Sequence, residues 1–485
     1  MTDDEIRTLV DDPALRSGVP AVELAEAFLE RLERARTMHA MTTITPELAL
    51  AQAREVDARR NRWQRLPLDG MPIVLKDNID VAGVPTTVGS RLFADRTPTE
   101  DAEVTLRLRE AGAVILGKAN MHELAFGATS ANEAFGAVVN PAAPDRIPGG
   151  SSGGSGAAVA ADLCLAAIGT DTGGSVRLPA SVCGVSGIRP TYGAVSNRGV
   201  QPVSVSLDTV GVLARAAADV RSLLAVVAGF DPADPTSRRR PLVLDGADDL
   251  RRLRVGVVEA LVDAADPAVA SCVGSFVGAL EELGATLSKV ELPGWEDAAE
   301  ACGRLISGEA LAVYGEALAS RPELLEEGTR RRLALASDLE MGDLQALRHA
   351  RARWAQQVEA TFHEVDVLLT PTIPGETPFA DGADTVATTA AVVPYTFVFA
   401  FAHVPALSLP CGTSAGGAPV GAQLAAAAWK DGVALRAGAA VQTATDWHRG
   451  RAPRPPTRAA VSDPSPTPAS RATPGRRGPP HREQA

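Results

Sequence analysis

Lysine is nearly missing from this chain: of 47 basic residues only Lys76, Lys118, Lys289 and Lys430 are lysine. A general preference for arginine explains the excess, so a lysine kept inside an apolar segment points to chemistry that arginine cannot supply. Buried lysine can shed its proton, whereas arginine stays charged. Cysteine is scarce too. Cys164, Cys183, Cys272, Cys302 and Cys411 are odd in number, scattered and without Cys-x-x-Cys spacing, which excludes a disulfide framework and reads as reduced core thiols. No apolar run approaches the roughly 18 residues of a membrane span. The acidic start, MTDDEIRTLVDD, lacks the basic and apolar regions of a secretory signal. A net charge of −12 lacks the basic footprint of a general nucleic-acid binder. The expectation is a cytoplasmic protein with no membrane and no nucleic-acid partner, a homodimer being the one assembly allowed for.

What is present fits an enzyme-sized α/β protein. The chain has 485 residues, 45% of them hydrophobic, enough for a large core. PAVELAEAFLERLERAR (20–36) has helical spacing, PIVL (72–75) and AVIL (113–116) are strand-like, and RVGVV (254–258), a helix near 267–283 and ATLSKVEL (285–292) read as a β-α-β unit. A charged helical stretch at 300–364 precedes three apolar strands, DVLLTP, ALSLP and VGAQL. Alternating strands and helices predict a largely buried sheet. Beyond about residue 453 the sequence turns Pro- and Arg-rich with almost no large apolar residue, so residues 454–485 are expected to form a disordered tail behind a domain spanning 1–453.

The informative stretch is PGGSSGGSGAAVAADLCLAAIGTDTGGSVRLPAS, residues 148–181, with Gly-Ser clusters on both sides of an alanine-rich segment. A linker would be flanked by polar sequence, and a phosphate loop would carry Gly-x-x-x-x-Gly-Lys. Neither fits. Gly-rich turns let backbone N–H groups face a cavity, as an oxyanion hole requires. The Gly-x-Ser-x-Gly match nominates Ser152, but a nucleophile elbow needs a preceding strand and VVNPAAPDRIP carries three prolines. The second cluster does follow a strand-like run, LCLAAIG, and there Thr172, Gly173 and Gly174 adjoin the hydroxyl of Ser175. Serine needs a base. Lys76, at the end of the apolar MPIVLK, is placed where desolvation favours the neutral amine.

GMPIVLKDNIDV, PGGSSGGSGAAVAA and GTDTGGSVRLPAS with CGVSGIRPTYG together resemble the amidase signature family of serine hydrolases, over roughly residues 20–450. The resemblance implies a large mixed, twisted β-sheet core surrounded by α-helices and a Ser-cisSer-Lys triad. Ser175 would be the nucleophile, Ser151 the bridging serine in a cis peptide, and Lys76 the base. It also implies an oxyanion hole over Thr172, Gly173, Gly174 and Ser175, with no cofactor and no metal. Thr129, Ser130 and His403 are the expected substrate-side residues, the last where many relatives read Phe-Asn-x-x-Gly and this chain has Ala400 and His403. Asp171 and Arg177 are expected to brace the nucleophile loop; His122-Glu123 lacks the second histidine of a zinc helix and reads as structural.

Two activities compete. NMHELAFGATSANEAFG resembles mandelamide and indoleacetamide hydrolases. The A subunits of tRNA-dependent amidotransferases instead read Asp-Glu-Phe at His122-Glu123-Leu124 and glutamine at Leu178. VVPYTFVFAFAHVPALSLP (392–410) has no charged residue, which predicts an apolar acyl pocket for a small hydrophobic or aryl amide and no partner protein, with the charged stretch at 300–364 left as a source of acidic or basic groups for that pocket.

Overall fold

The computed structural model describes residues 1–450 apart from 245, 247 and 248. The expected tail at 454–485 lies outside the described residues. Eleven strands form one sheet: β1 (Met41–Ile44), β2 (Pro72–Lys76), β3 (Val114–Ala119), β4 (Ala166–Thr170), β5 (Ser186–Arg189), β6 (Val210–Ala214), β7 (Arg254–Val258), β8 (Thr286–Val290), β9 (Val367–Pro371), β10 (Ala406–Thr413) and β11 (Pro419–Ala426). Their spatial order is β1-β3-β2-β4-β6-β5-β10-β11-β9-β7-β8. Parallel pairs on each side (β3, β2, β4 and β9, β7, β8) enclose an antiparallel centre, and β1 adds an antiparallel edge beside β3, so the sheet is mixed.

Helices cover both faces, which is why β2, β3, β4 and β6 are buried at every position and read as continuous apolar runs. At the outer edge β8 is largely exposed, and its Lys289 makes that edge a poor template for further pairing. The helix expected at 20–36 runs Ala21–Arg34, burying Leu24, Ala25, Phe28, Leu29 and Leu32. Three helices fill the charged stretch: Trp295–Ser320, Glu327–Ala334 and Met341–Thr361. Among the described residues no helix is long and apolar enough to cross a membrane.

Register decides where the two interior lysines point. Lys76 on β2 lies opposite Ala119, while Leu75 lies opposite Lys118 on β3. Because neighbours in register share a face and successive residues alternate, Lys76 and Lys118 project from opposite faces of the sheet.

Candidate active site

Lys76 ends β2 with its side chain fully buried. Its Nζ lies 2.7 Å from Ser151 Oγ and 2.8 Å from Thr170 Oγ1, with the Thr170 carbonyl at 3.4 Å. All these neighbours are uncharged. Burial therefore pulls the amine down to about 7, against the smaller opposing pull of Asp171 and Asp208. Asn78 donates to the same Thr170 hydroxyl at 3.1 Å and fixes it.

Ser151 follows a cis peptide bond from Gly150, immediately before the helix Gly153–Ala160. The glycines of the first cluster serve close packing rather than open amides. A Cβ on Gly156 would meet Pro179 Cβ at 2.8 Å, so the helices Gly153–Ala160 and Arg177–Cys183 approach through glycine. Ser152 caps no helix amide; its hydroxyl is buried and donates to the Thr170 carbonyl at 3.2 Å.

The second cluster turns out of β4 around one carboxylate. Asp171 accepts from Gly174 N at 2.8 Å and Val176 N at 3.2 Å, and it is gripped by Arg177 (Nε to Oδ2, 3.0 Å; Nη2 to Oδ1, 2.9 Å) and by Arg189 (3.3 Å). Burial alone would raise this carboxyl; the two guanidinium charges and the loop amides outweigh it and hold it far below the usual range. The expected brace by Asp171 and Arg177 is thus a three-residue one. Gly174 differs from its expected place in the oxyanion set, because its N–H donates to Asp171. Gly174 sits at φ +140, where a side chain would be strained and would strike Thr396. Thr172 Oγ1 donates to Asp208 at 2.6 Å. Ser175 joins the two clusters directly, since Ser152 N donates to the Ser175 carbonyl at 3.1 Å.

Ser175, Thr172 and Gly173 line one cavity with Phe126, Phe397 and Arg332. Arg332 also lines an adjoining cavity of about 500 Å³ with Glu296, Glu300 and Arg304. Its guanidinium lies over the Phe126 ring, 4.4 Å from the centroid, and its buried Nε has no hydrogen-bond partner among the described residues. Most of the lining is apolar as expected, with Phe126, Leu178, Val203, Ile306 and Phe397 around Ser175, and Arg332 adds a charge. Of the 392–410 segment only Val393, Pro394 and Phe397 reach the cavities, because the helix Pro394–Phe401 turns Tyr395, Val398, Phe399 and Phe401 into the core.

His403 lines neither cavity: it stacks on Tyr192 with centroids 4.2 Å apart, and its Nε2 is 2.8 Å from the Ser206 carbonyl. Thr129 and Ser130 form a second layer rather than a lining. Thr129 Oγ1 and Ser130 N each lie 3.2 Å from Nδ1 of His122, and the backbone N–H of His122 donates to the Ser151 carbonyl at 3.1 Å. Among the described residues no group of His, Cys, Asp or Glu is arranged to hold a metal ion. Sequence reasoning does not single out Thr170, Arg189 or Arg332. Arg189 stands inside a family-like motif, CGVSGIRPTYG, whereas Arg332 sits in an arginine run with nothing to distinguish it.

A buried lysine among hydroxyls, beside a braced glycine loop on a mixed sheet, defines a hydrolase acting on amide C–N bonds. The chain belongs to the amidase signature family: the family model described as Amidase matches residues 23–435. It is 40% identical over 477 residues to the A subunit of the glutamyl-tRNA(Gln) amidotransferase from Chloroflexus aggregans, covering 90% of this chain and 96% of that one. The crystal structure of the corresponding protein from Thermotoga maritima superposes with a TM-score of 0.78 at 28% identity, covering 90% and 95% of the two chains. A chain from a vestigial complex that reveals the origins of an s-triazine catabolic enzyme gives a TM-score of 0.83 at 33% identity, covering 92% and 98%. These findings overturn the expected free-standing aryl amidase of mandelamide type and the expectation of no nucleic-acid partner. The differences at His122, Leu124 and Leu178 are three positions, outweighed by likeness over nearly the whole length of such chains.

Proposed function

We propose that this chain is the A subunit of a glutamyl-tRNA(Gln)-type amidotransferase, releasing ammonia from the side-chain amide of glutamine within an assembly of protein partners and tRNA. The likeness to such proteins supports this, and a cytoplasmic setting goes with it. Arg332 carries the reading. A guanidinium facing the cavity beside Ser175, with its buried Nε unpaired, is a partner for a substrate carboxylate; an aryl amide would leave that charge desolvated and unsatisfied.

The chemistry assigned to the site runs as two acyl transfers. Ser175 Oγ attacks the amide carbon while its proton passes to Ser151 Oγ, whose own proton moves to neutral Lys76 Nζ across 2.7 Å. The amides of Thr172, Gly173 and Ser175 hold the oxyanion, each such donor being worth about 2.7–4 kcal/mol in the transition state. The relay returns a proton to the departing nitrogen, ammonia leaves, and water then cleaves the acyl-enzyme to glutamate. The domain assignment proposed with this is one amidase unit over residues 1–453.

Competition tests the reading. L-Glutamine should protect Ser175 from a fluorophosphonate probe and be hydrolysed well ahead of butyramide, which is glutamine stripped of its α-charges, and Arg332→Ala should erase that preference. Equal turnover of the two amides, unchanged by Arg332→Ala, would overturn it.

A further inference from the structure

Helix Glu327–Ala334, which carries Arg332, has only eight residues, too few to hold its own orientation. Its exposed tie, Arg331 to Asp384 at 2.8 Å, contributes little. A buried tie comes from Glu123, whose side chain lies in the interior. Its Oε2 accepts from the N–H of Glu326, the residue that begins the helix, at 2.9 Å, and its Oε1 accepts from Ser90 Oγ at 2.6 Å. Glu326 in turn accepts from Glu133 N at 2.7 Å. The residue before Glu123 is His122, whose backbone N–H donates to the Ser151 carbonyl at 3.1 Å.

We infer that Glu123 is a positioning residue: through the His122-Glu123 dipeptide it keeps the Arg332 helix in fixed register with Ser151, so that a carboxylate on Arg332 presents its amide to Ser175. This rests on the reading of Arg332 as the carboxylate's partner. It also gives the buried glutamate a use without any metal: the backbone of His122 ties the bridging serine, and the side chain of the next residue ties the helix that carries Arg332. Thr329 and Leu333 pack the middle of the helix in the core, and the Glu123 carboxylate adds a directional hydrogen bond at its start.

The test uses the full chain and three readouts: hydrogen exchange of the 326–334 amides, the rate of fluorophosphonate labelling of Ser175, and protection from labelling by L-glutamine. Glu123→Ala should speed exchange across 326–334 about tenfold or more and weaken glutamine protection about tenfold. Labelling itself should slow by less than about threefold. Glu123→Gln, which can still accept from Glu326 N and donate to Ser90, should recover most of both. Unchanged exchange in Glu123→Ala would overturn the inference, as would slowing of labelling in proportion to lost protection, the mark of a general structural defect. Should glutamine fail to protect the parent chain, the proposed substrate fails, while exchange at 326–334 still decides whether Glu123 anchors the helix.

Discussion

Lys76 and Lys118 stand at the ends of neighbouring parallel strands, both fully buried, in a chain that otherwise uses arginine. Burial lowers both amines, yet their surroundings give them opposite uses. Lys118 Nζ lies 3.1 Å from the carboxylate of Asp77 and 2.7 Å from Thr86 Oγ1, so its charge is matched and it braces the loop after β2. Among the described residues Lys76 hydrogen-bonds hydroxyls and a carbonyl only. A buried lysine with a carboxylate partner is a strut; one among neutral oxygens is a base. Sequence context is the same for both, and the difference lies in which face of the sheet each side chain takes.

The largest effect expected is on turnover. Lys76→Ala should cost at least about 10³-fold in kcat, and Lys76→Arg nearly as much, because guanidinium cannot accept the serine proton. Steady-state kinetics on a small primary amide measures this, and an arginine variant retaining a tenth of the activity would erase the distinction between the lysines. Lys118→Met should instead destabilise the fold by about 3–5 kcal/mol by leaving the Asp77 carboxylate buried and unmatched, read as a shift in the denaturant midpoint. Adding Asp77→Asn should recover more than half of that.

Acidity gives an intermediate effect. The active amine is the neutral one and its pKa is about 7, so kcat/KM should rise with pH and fall about tenfold per unit below that value. A profile flat from pH 5 to pH 9 would deny Lys76 the role of base. Smallest is Ser152→Ala, which removes a buried hydrogen bond to Thr170 and should cost about 1 kcal/mol of stability with labelling of Ser175 retained.

Most of the fold is legible in the sequence because most strands are short apolar runs and the helices are periodic: RVGVV is β7 to the residue, and the helix expected near 267–283 runs Pro267–Glu282. The pairing of Lys76 with Ser151 follows from the family motif; its geometry comes from register and a helix start that sequence spacing does not display. The acyl pocket is mostly apolar as expected, and what 392–410 does not display is its charge. Charge-free sequence at 392–410 suggests an apolar lining, but a helix presents only one face, and the charge comes from Arg332, distant in sequence and placed by the Glu123 tie. Gly174 departs from its expected role because both uses of a glycine-loop amide, oxyanion donor and carboxylate donor, look alike until Asp171 is placed.

With only four lysines in the chain, the central claim can be read directly. In protein labelled with ¹³Cε-lysine, followed by NMR from pH 5 to pH 10, one resonance should titrate near 7, disappear in Lys76→Met and persist in Lys118→Met. Finding all four lysines charged up to pH 9 would contradict the account.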